Sequence, residues 1–285
     1  MLNPTNIPDA AGELRRLGDQ ATIYSGGAEL VLLLRHRMIQ IEYLVNIKRI
    51  SGLEEILWDR HALYIGAAVT HHRLETNALV RRYYPMFAYA ESQIANIRVR
   101  NQGTLGGNLC FSDPHSDPGT VLLVYEAMLK LGSITGERHI SLDDFLVGMY
   151  ATALMPDEIL IGIEVPPLPP GWGSAFLRVH HFQRPTVNVA AAAFVEGGNI
   201  SRVRLAVGCI GPRPVRLSEL ESRVRGLTVD DAKTLISGLS QYLFEQLKPI
   251  DDLLGSKEYK IYMAKVLLGR TLEQAAQNRG DNTDG

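Results

Sequence analysis

Apolar positions along the chain change period several times, and each change marks an element. In residues 9–18 (DAAGELRRLG), Leu14 and Leu17 share a face, Asp9 is a candidate cap and Gly18 a stop, which predicts a short helix. Ala21–Tyr24 predicts a strand, Ala28–Arg35 a helix, and Tyr43–Ile47 and Leu63–Ala67 two further strands. Phe87, Ala90, Ile94 and Ile97 recur at helical spacing, so Pro85–Arg98 is predicted as one helix. Thr120–Met128 has helical spacing again, and Lys130–Ile134 returns as a strand. Further on, Ser174–Val179, Val187–Glu196 and Arg202–Gly208 predict three strands, the last two joined by a Gly197-Gly198-Asn199 turn. Residues 229–246 and 257–277 then predict helices, and the polar tail GDNTDG is expected to fray.

One segment breaks the pattern. Val165–Gly171 holds four prolines in five residues, which neither a helix nor a central strand can absorb. It is read as the linker between a domain at 1–170 and a second at 171–285. With 285 residues, 46% of them hydrophobic, the chain can build a core for each. A net charge of −2 excludes the basic footprint of a nucleic-acid binder. The start, MLNPTNIPDAAGELRR, has no apolar core of a secretory signal, and the aliphatic run Leu30–Leu34 is far too short for a membrane span. A cytoplasmic protein is expected.

The two cysteines, Cys110 and Cys209, exclude a disulfide framework and point to a reducing compartment. They also exclude an iron–sulfur cluster built by this chain alone, because such clusters take about four cysteine ligands. Any such centre has to sit in a partner.

The candidate chemistry lies in two glycine pairs, Gly26-Gly27 in IYSGGAEL and Gly106-Gly107 in RNQGTLGGNLC. Glycine lets a backbone approach a ligand and aim N–H groups at an anion. Strand, glycine loop and helix in succession form a phosphate-binding arrangement at a helix N-terminus. Two such loops point to a ligand with two phosphates, a dinucleotide-type cofactor. Neither G-x-G-x-x-G nor G-K-[ST] occurs, and a single Gly-Gly taken alone reads more readily as a tight turn. H-E-x-x-H, G-x-S-x-G and C-x-x-C are also missing, so hydrolase, zinc and thiol-redox chemistry lack residues to carry them. The pairs His71-His72 and His180-His181 are read as non-chelating, since neighbours on a strand face opposite ways. His115 is either a cofactor contact or a loop-ordering residue, and Cys110 reads as a small buried hydrophobe. Arg98 and Arg100 either steer a diphosphate or lie on a helix face. Tyr259 and Tyr262 read as core or subunit interface.

The order IYSGGAEL, LVNIKRISGLEEI, LYIGAAVTHHRLE, IRVRNQGTLGGNLCFSDPHSD closely resembles the FAD-binding medium subunit of the molybdenum hydroxylases, the family of the carbon monoxide dehydrogenase medium subunit and the middle domain of xanthine dehydrogenase. DDLLGSKEYKIYMAKVLLGRTLEQ looks like the helix that closes that family's C-terminal domain, so the resemblance spans almost the whole chain. It implies an α+β fold of the vanillyl-alcohol oxidase type, shared with UDP-N-acetylenolpyruvoylglucosamine reductase. FAD then lies between subdomains of about 1–55 and 56–170, and a small α+β C-terminal domain follows, with a three-stranded antiparallel sheet plus helices.

The resemblance also implies the contacts. The first phosphate-contacting run maps onto Ile23, Tyr24, Ser25, Gly26, Gly27, Ala28, Glu29 and Leu30, and the second onto Thr104, Leu105, Gly106, Gly107 and Asn108. Asp117 in DPHSD maps onto a cofactor-contacting aspartate, and Leu160 onto a backbone contact. Thr104 and Asn108 can hydrogen-bond phosphate oxygens or the loop, and ionised Asp117, which only accepts, suits ribityl or ribose hydroxyls. Glu29 is favourable at a helix start in its own right, so a structural and a cofactor role both stand. The stretch that passes the isoalloxazine ring in relatives reads FLRVHHFQRPT (Phe176–Thr186), without their lysine or tyrosine, and Leu177 stands nearest the matching position.

The implied role is an electron-transfer subunit without catalytic or metal-ligating residues of its own. Its FAD takes electrons from two-iron–two-sulfur clusters in a small partner and passes them to an external acceptor. A large molybdopterin partner completes a heterotrimer, doubled into a heterohexamer. The alternative is a self-sufficient FAD reductase or oxidase on the same fold, which needs a proton donor near the flavin. A flavin-free scaffold subunit is a third reading, against which the intact glycine loops argue.

Overall fold

The computed structural model describes residues 1–59, 61–181 and 183–278, without the side chain of His181; the tail GDNTDG lies outside them. Helix α1 (Ile7–Leu17) starts earlier than its apolar spacing suggests. Asn6 caps it by accepting from the Asp9 N–H at 2.8 Å, so the cap is Asn6 and not Asp9. Pro8 sits where a missing N–H costs nothing. The helix covers a parallel pair, β1 (Ala21–Tyr24) and β2 (Tyr43–Asn46), joined through α2 (Leu30–Arg35). Ala10, Leu14, Val45 and Ile47 form the small core between them.

The second unit is an antiparallel sheet of β3 (Ile56–Trp58), β4 (Leu63–Gly66), β5 (Met128–Ser133), β6 (Gly136–Ser141) and a late strand, Ile159–Val165, in the order β3-β4-late strand-β5-β6. Between β4 and β5 run α3 (His71–Thr76), α4 (Ala78–Tyr83), α5 (Pro85–Ser92), α6 (Ile97–Gln102), α7 (Leu105–Phe111) and α8 (Pro118–Val124). The single helix predicted over Pro85–Arg98 is two. The chain turns at Ala95, which takes φ +39°, and Asn96 caps α6 by accepting from the Arg98 and Val99 N–H groups. The helix predicted over Thr120–Met128 likewise ends at Val124, and Met128 already pairs with Ser141. A helical turn, α9 (Leu142–Phe145), and a short hairpin, β7 (Leu146–Gly148) and β8 (Ala151–Thr152), lead to the late strand, β9.

Past the prolines, β10 (Gly173–His181), β11 (Arg184–Glu196), β12 (Asn199–Gly208) and β13 (Val215–Arg216) form a four-stranded antiparallel sheet. The expectation of three strands missed β13, whose two residues are too few to show a period. Four helices follow: α10 (Ser218–Val224), α11 (Val229–Gly238), α12 (Ser240–Leu247) and α13 (Lys257–Gln277). The helix expected over 229–246 is interrupted at Leu239, whose ψ of +34° leaves the helical range.

Strand β11 explains how the parts join. Its run Val187–Phe194 is apolar without alternation apart from Asn188, the sign of a strand covered on both faces. Ala190 and Ala192 face the core of the second unit, with Val121, Leu122 and Phe176. Val189, Ala191 and Ala193 face a separate core under α13, with Ala264 and Leu268. Successive side chains thus point into two different cores.

Candidate functional site

A cleft of about 720 Å³ opens where the three parts meet. That lies within the range of about 300–1,000 Å³ typical of ligand sites. Both glycine runs line it, together with β9 and the tip of the β10–β11 hairpin at Gln183–Pro185.

The two glycine runs differ in kind. After β1, the N–H groups of Gly26, Gly27, Ala28 and Glu29 meet no backbone acceptor among the described residues, and α2 begins without a side-chain cap. These donors line the cleft at a helix start, where an anion is favoured. Gly27 holds φ +75°, which an L-residue adopts only at a cost. In the second run, Leu105 N–H donates to Val69 O, Gly106 N–H to Ala67 O and Gly107 N–H to Thr104 Oγ1. A Cβ on Gly106 would lie 2.6 Å from Ala67 O, so that glycine allows packing against β4's end. The two runs, expected together to form the two halves of one diphosphate site, therefore differ in the donors they offer. The first run offers free donors; the second opens a helix whose donors are already paired and which braces the first. Ser25 Oγ lies 3.1 Å from Thr104 Oγ1, and a Cβ on Gly26 would fall 2.3 Å from Gln102 O.

Ile23, Ser25, Ala28, Glu29, Leu30, Thr104, Gly107, Asn108 and Leu160 also line the cleft. Tyr24 and Leu105 do not: Lys48 Nζ lies over the Tyr24 ring, 4.7 Å from its centroid, and Leu105 is fully buried in the core. Asn108 Oδ1 accepts from Ser116 Oγ at 2.6 Å. Burial, with Asp113 adding to it and Arg184 opposing, raises the Glu29 carboxyl above its ordinary range.

Asp117 reaches the cleft wall, but its carboxylate ties the parts of the chain together. Arg178 Nη1 lies 2.5 Å from Oδ2, and Asn188 Nδ2 donates to Oδ1 at 2.8 Å. Its ribose or ribityl role would use lone pairs left over by these bonds. Leu177 packs beside the C-terminal core and does not line the cleft; Gln183, Arg184 and Pro185 do.

Other histidines resolve as well. His71 and His72 open helix α3 and are not on a strand, and they take separate carboxylates: His71 Nδ1 meets Glu91 Oε2 at 2.6 Å, and His72 Nδ1 meets Glu75 Oε1 at 2.7 Å. His115 lines the cleft with Nδ1 at 3.1 Å from Pro185 O and Nε2 at 3.1 Å from Asp252 Oδ2. The ring is thus held at both nitrogens, between the hairpin tip and the segment before the last helix. Arg100 pairs with Glu75 and donates to Ile94 O, which orders the cleft-lining turn after α5. Cys110 lines the cleft, and burial pushes its thiol up to about 12, the behaviour of an inert side chain. Tyr259 and Tyr262 are exposed, so of the two readings, core or subunit interface, the core is excluded and the interface stands.

Sequence reasoning missed the His71–Glu91 pair and the hairpin tip, where Asn96 Nδ2 donates to Gln183 Oε1. Neither has a local signal, because each joins residues far apart in the chain. Among the described residues, no group of three or more His, Cys, Asp or Glu is placed to hold a metal, and no helix is long and apolar enough to cross a membrane.

Comparisons with known proteins give the family and the fold. The family described as the FAD binding domain in molybdopterin dehydrogenase matches residues 1–168, and the carbon monoxide dehydrogenase flavoprotein C-terminal domain matches residues 180–275. The 6-hydroxypseudooxynicotine dehydrogenase complex subunit alpha of Paenarthrobacter nicotinovorans is 32% identical over 90% of this chain and 88% of its own length. The nicotine 6-hydroxylase medium subunit of the same organism is 30% identical over 96% of this chain and 95% of its own. Among solved structures, a chain of carbon monoxide dehydrogenase from Hydrogenophaga pseudoflava superposes with a TM-score of 0.91 at 28% identity, covering 96% of each chain.

Proposed function

Because the chain belongs to the family of FAD-binding subunits of molybdopterin dehydrogenases, we propose that the free N–H groups of Gly26–Glu29 receive the FAD diphosphate. The chain is the FAD-carrying, electron-transferring subunit of a molybdenum-containing dehydrogenase complex. Bound FAD supplies the redox chemistry, taking and releasing one or two electrons. The protein binds, orients and shields it. Four consecutive unpaired donors at a helix start, in a cleft of suitable size, carry the proposal.

The residues fit the cofactor. Gly27 keeps the N–H cradle open, since a Cβ there would fall 2.5 Å from the Tyr24 ring as well as strain the backbone. Thr104 and Asn108 line the cleft beside the first run with hydroxyl and amide groups, while Leu160 and Ile23 supply apolar wall. Asp117 secures the cleft by holding Arg178 and Asn188, and with its remaining lone pairs would accept from a ribose or ribityl hydroxyl.

The finer reading concerns the assembly. A large molybdopterin subunit and a small subunit with two-iron–two-sulfur clusters join this chain as a dimer of heterotrimers in the cytoplasm, and an external acceptor takes the electrons. The cysteine count supports this, because two cysteines cannot ligate a cluster and the electrons must arrive from elsewhere. The same reading divides the chain at the prolines, 1–170 and 171–285, and is supported by the gap between the two family matches.

Purification of the chain with its neighbours tests this. The expected preparation is yellow, releases FAD on denaturation and contains molybdenum and iron in separate larger and smaller chains. A colourless chain that binds no added FAD overturns the cofactor site, and a lone chain that turns over a substrate overturns the division of labour.

A further inference from the structure

The cleft contains one buried polar side chain that no part of the reading above uses. His71 is 2% exposed and begins α3 directly after its cap, Thr70. Its backbone N–H donates to Gly103 O, and Thr70 bridges to Thr104, so the ring is locked under the segment that leads into α7. Nδ1 points away from the cleft to Glu91, which is wholly buried. The opposite edge of the ring lies beside Gly103, with Cδ2 at 3.2 Å and Nε2 at 3.6 Å from where a Cβ would stand. Nε2 meets no protein partner among the described residues, and His71 lines the cleft.

We propose that His71 Nε2–H is a cofactor contact, donating a hydrogen bond to an oxygen of the ribityl–diphosphate chain of bound FAD, with Glu91 as the positioning residue behind it. The inference rests on the FAD site proposed above. Its location selects that part of the cofactor. Gly103 touches Gly26 at the edge of the N–H cradle, so whatever crosses between the two glycine runs passes His71. The section of FAD that crosses there is its oxygen-rich chain.

The state of the pair follows from its burial. Glu91 Oε1 has no hydrogen-bond partner, and a fully buried bare carboxylate with one neutral neighbour is costly. Burial raises the Glu91 carboxyl, the adjacent His71 opposes the rise, and Asp117 and Glu75 add to it. A Glu91 carboxylic acid donates to Nδ1, and the neutral ring then carries its own proton on Nε2. The other charged groups are already engaged: Asp117 with Arg178, and Glu75 with Arg100 and His72.

The test is a titration of the full chain, stripped of FAD, with FAD itself, followed by quenching of flavin fluorescence. His71→Asn keeps an amide at the Nδ1 position for Glu91 and deletes the Nε2 donor. It is expected to weaken FAD binding about tenfold, the size of one lost hydrogen bond. Wild-type affinity is expected to fall as pH rises through the raised Glu91 carboxyl, because the carboxylate then draws the ring proton to Nδ1 and leaves Nε2 without one, and the slope to vanish in His71→Asn. Glu91→Gln keeps a partner for Nδ1 and is expected to flatten the slope, a readout that a merely structural role does not move. If His71→Asn does not fold, Glu91→Gln decides alone. FAD affinity within about twofold of wild type in His71→Asn, or an unchanged slope in Glu91→Gln, overturns the proposal while leaving the FAD site standing. A wild-type chain that binds no FAD overturns both.

Discussion

Gly26 and Gly103 stand back to back: a Cβ on Gly26 would fall 2.9 Å from the Gly103 Cα. This contact sets the distance between the two glycine runs and assigns them different work. The first presents free N–H groups, and the second abuts it at Gly103 and lines the same cleft with its own N–H groups paired.

Substitution separates the two roles. Gly27→Ala places an L-residue at φ +75° and costs about 1–2 kcal/mol, and its methyl group strikes the Tyr24 ring, so FAD affinity falls. Gly106→Ala drives a methyl into Ala67 and costs roughly 1–3 kcal/mol of overpacking. Thermal unfolding with and without FAD is expected to show the Gly106→Ala loss equally in both forms. A loss confined to the FAD-loaded form would assign Gly106 to the cofactor.

The Asp117–Arg178 pair predicts how the parts unfold. Both side chains are at least nine-tenths buried, and they join α8 to β10. Arg178→Met leaves the Asp117 carboxylate without its cation and is expected to cost about 3–5 kcal/mol by urea denaturation. Because β11 serves both cores, the loss should appear in a single transition. A cost below about 1 kcal/mol, the value of an exposed pair, contradicts the interdomain role.

Acid should loosen the opposite wall. Arg138 holds the cleft-lining Glu158 through two hydrogen bonds, Nε to Oε1 at 2.6 Å and Nη2 to Oε2 at 2.7 Å. Arg138 and the Met155 N–H hold the Glu158 carboxyl below its ordinary 4.5, with burial opposing. A depressed carboxyl contributes stability above its unfolded value and loses it as pH falls through the folded one. Glu158→Gln is therefore expected to cost roughly 1 kcal/mol at neutral pH and nothing once Glu158 is protonated in the wild type, because the pair is partly exposed. A difference that persists in acid removes the ion pair as its cause.

Much of this was legible in the sequence where the signal was local. Strand, glycine pair and short helix at 21–35 appear where their pattern places them, and the resemblance carried by the glycine runs identified the family. The division between the two runs was not legible, because Gly106 owes its identity to Ala67, which lies far back in the chain. Asp117 likewise reads as a free carboxylate until Arg178 and Asn188 fold onto it. The break at Ala95 was hidden because the apolar spacing runs on through it, and Tyr259 and Tyr262 have core spacing yet face outward.

Amide hydrogen exchange with and without FAD tests the central claim most directly. Without FAD, the N–H groups of Gly26–Glu29 should exchange fast, while those of Leu105–Asn108 are already protected by their protein partners. Addition of FAD is predicted to protect Gly26–Glu29 strongly and to change Leu105–Asn108 little. Protection gained at Leu105–Asn108 with none at Gly26–Glu29 would contradict the account.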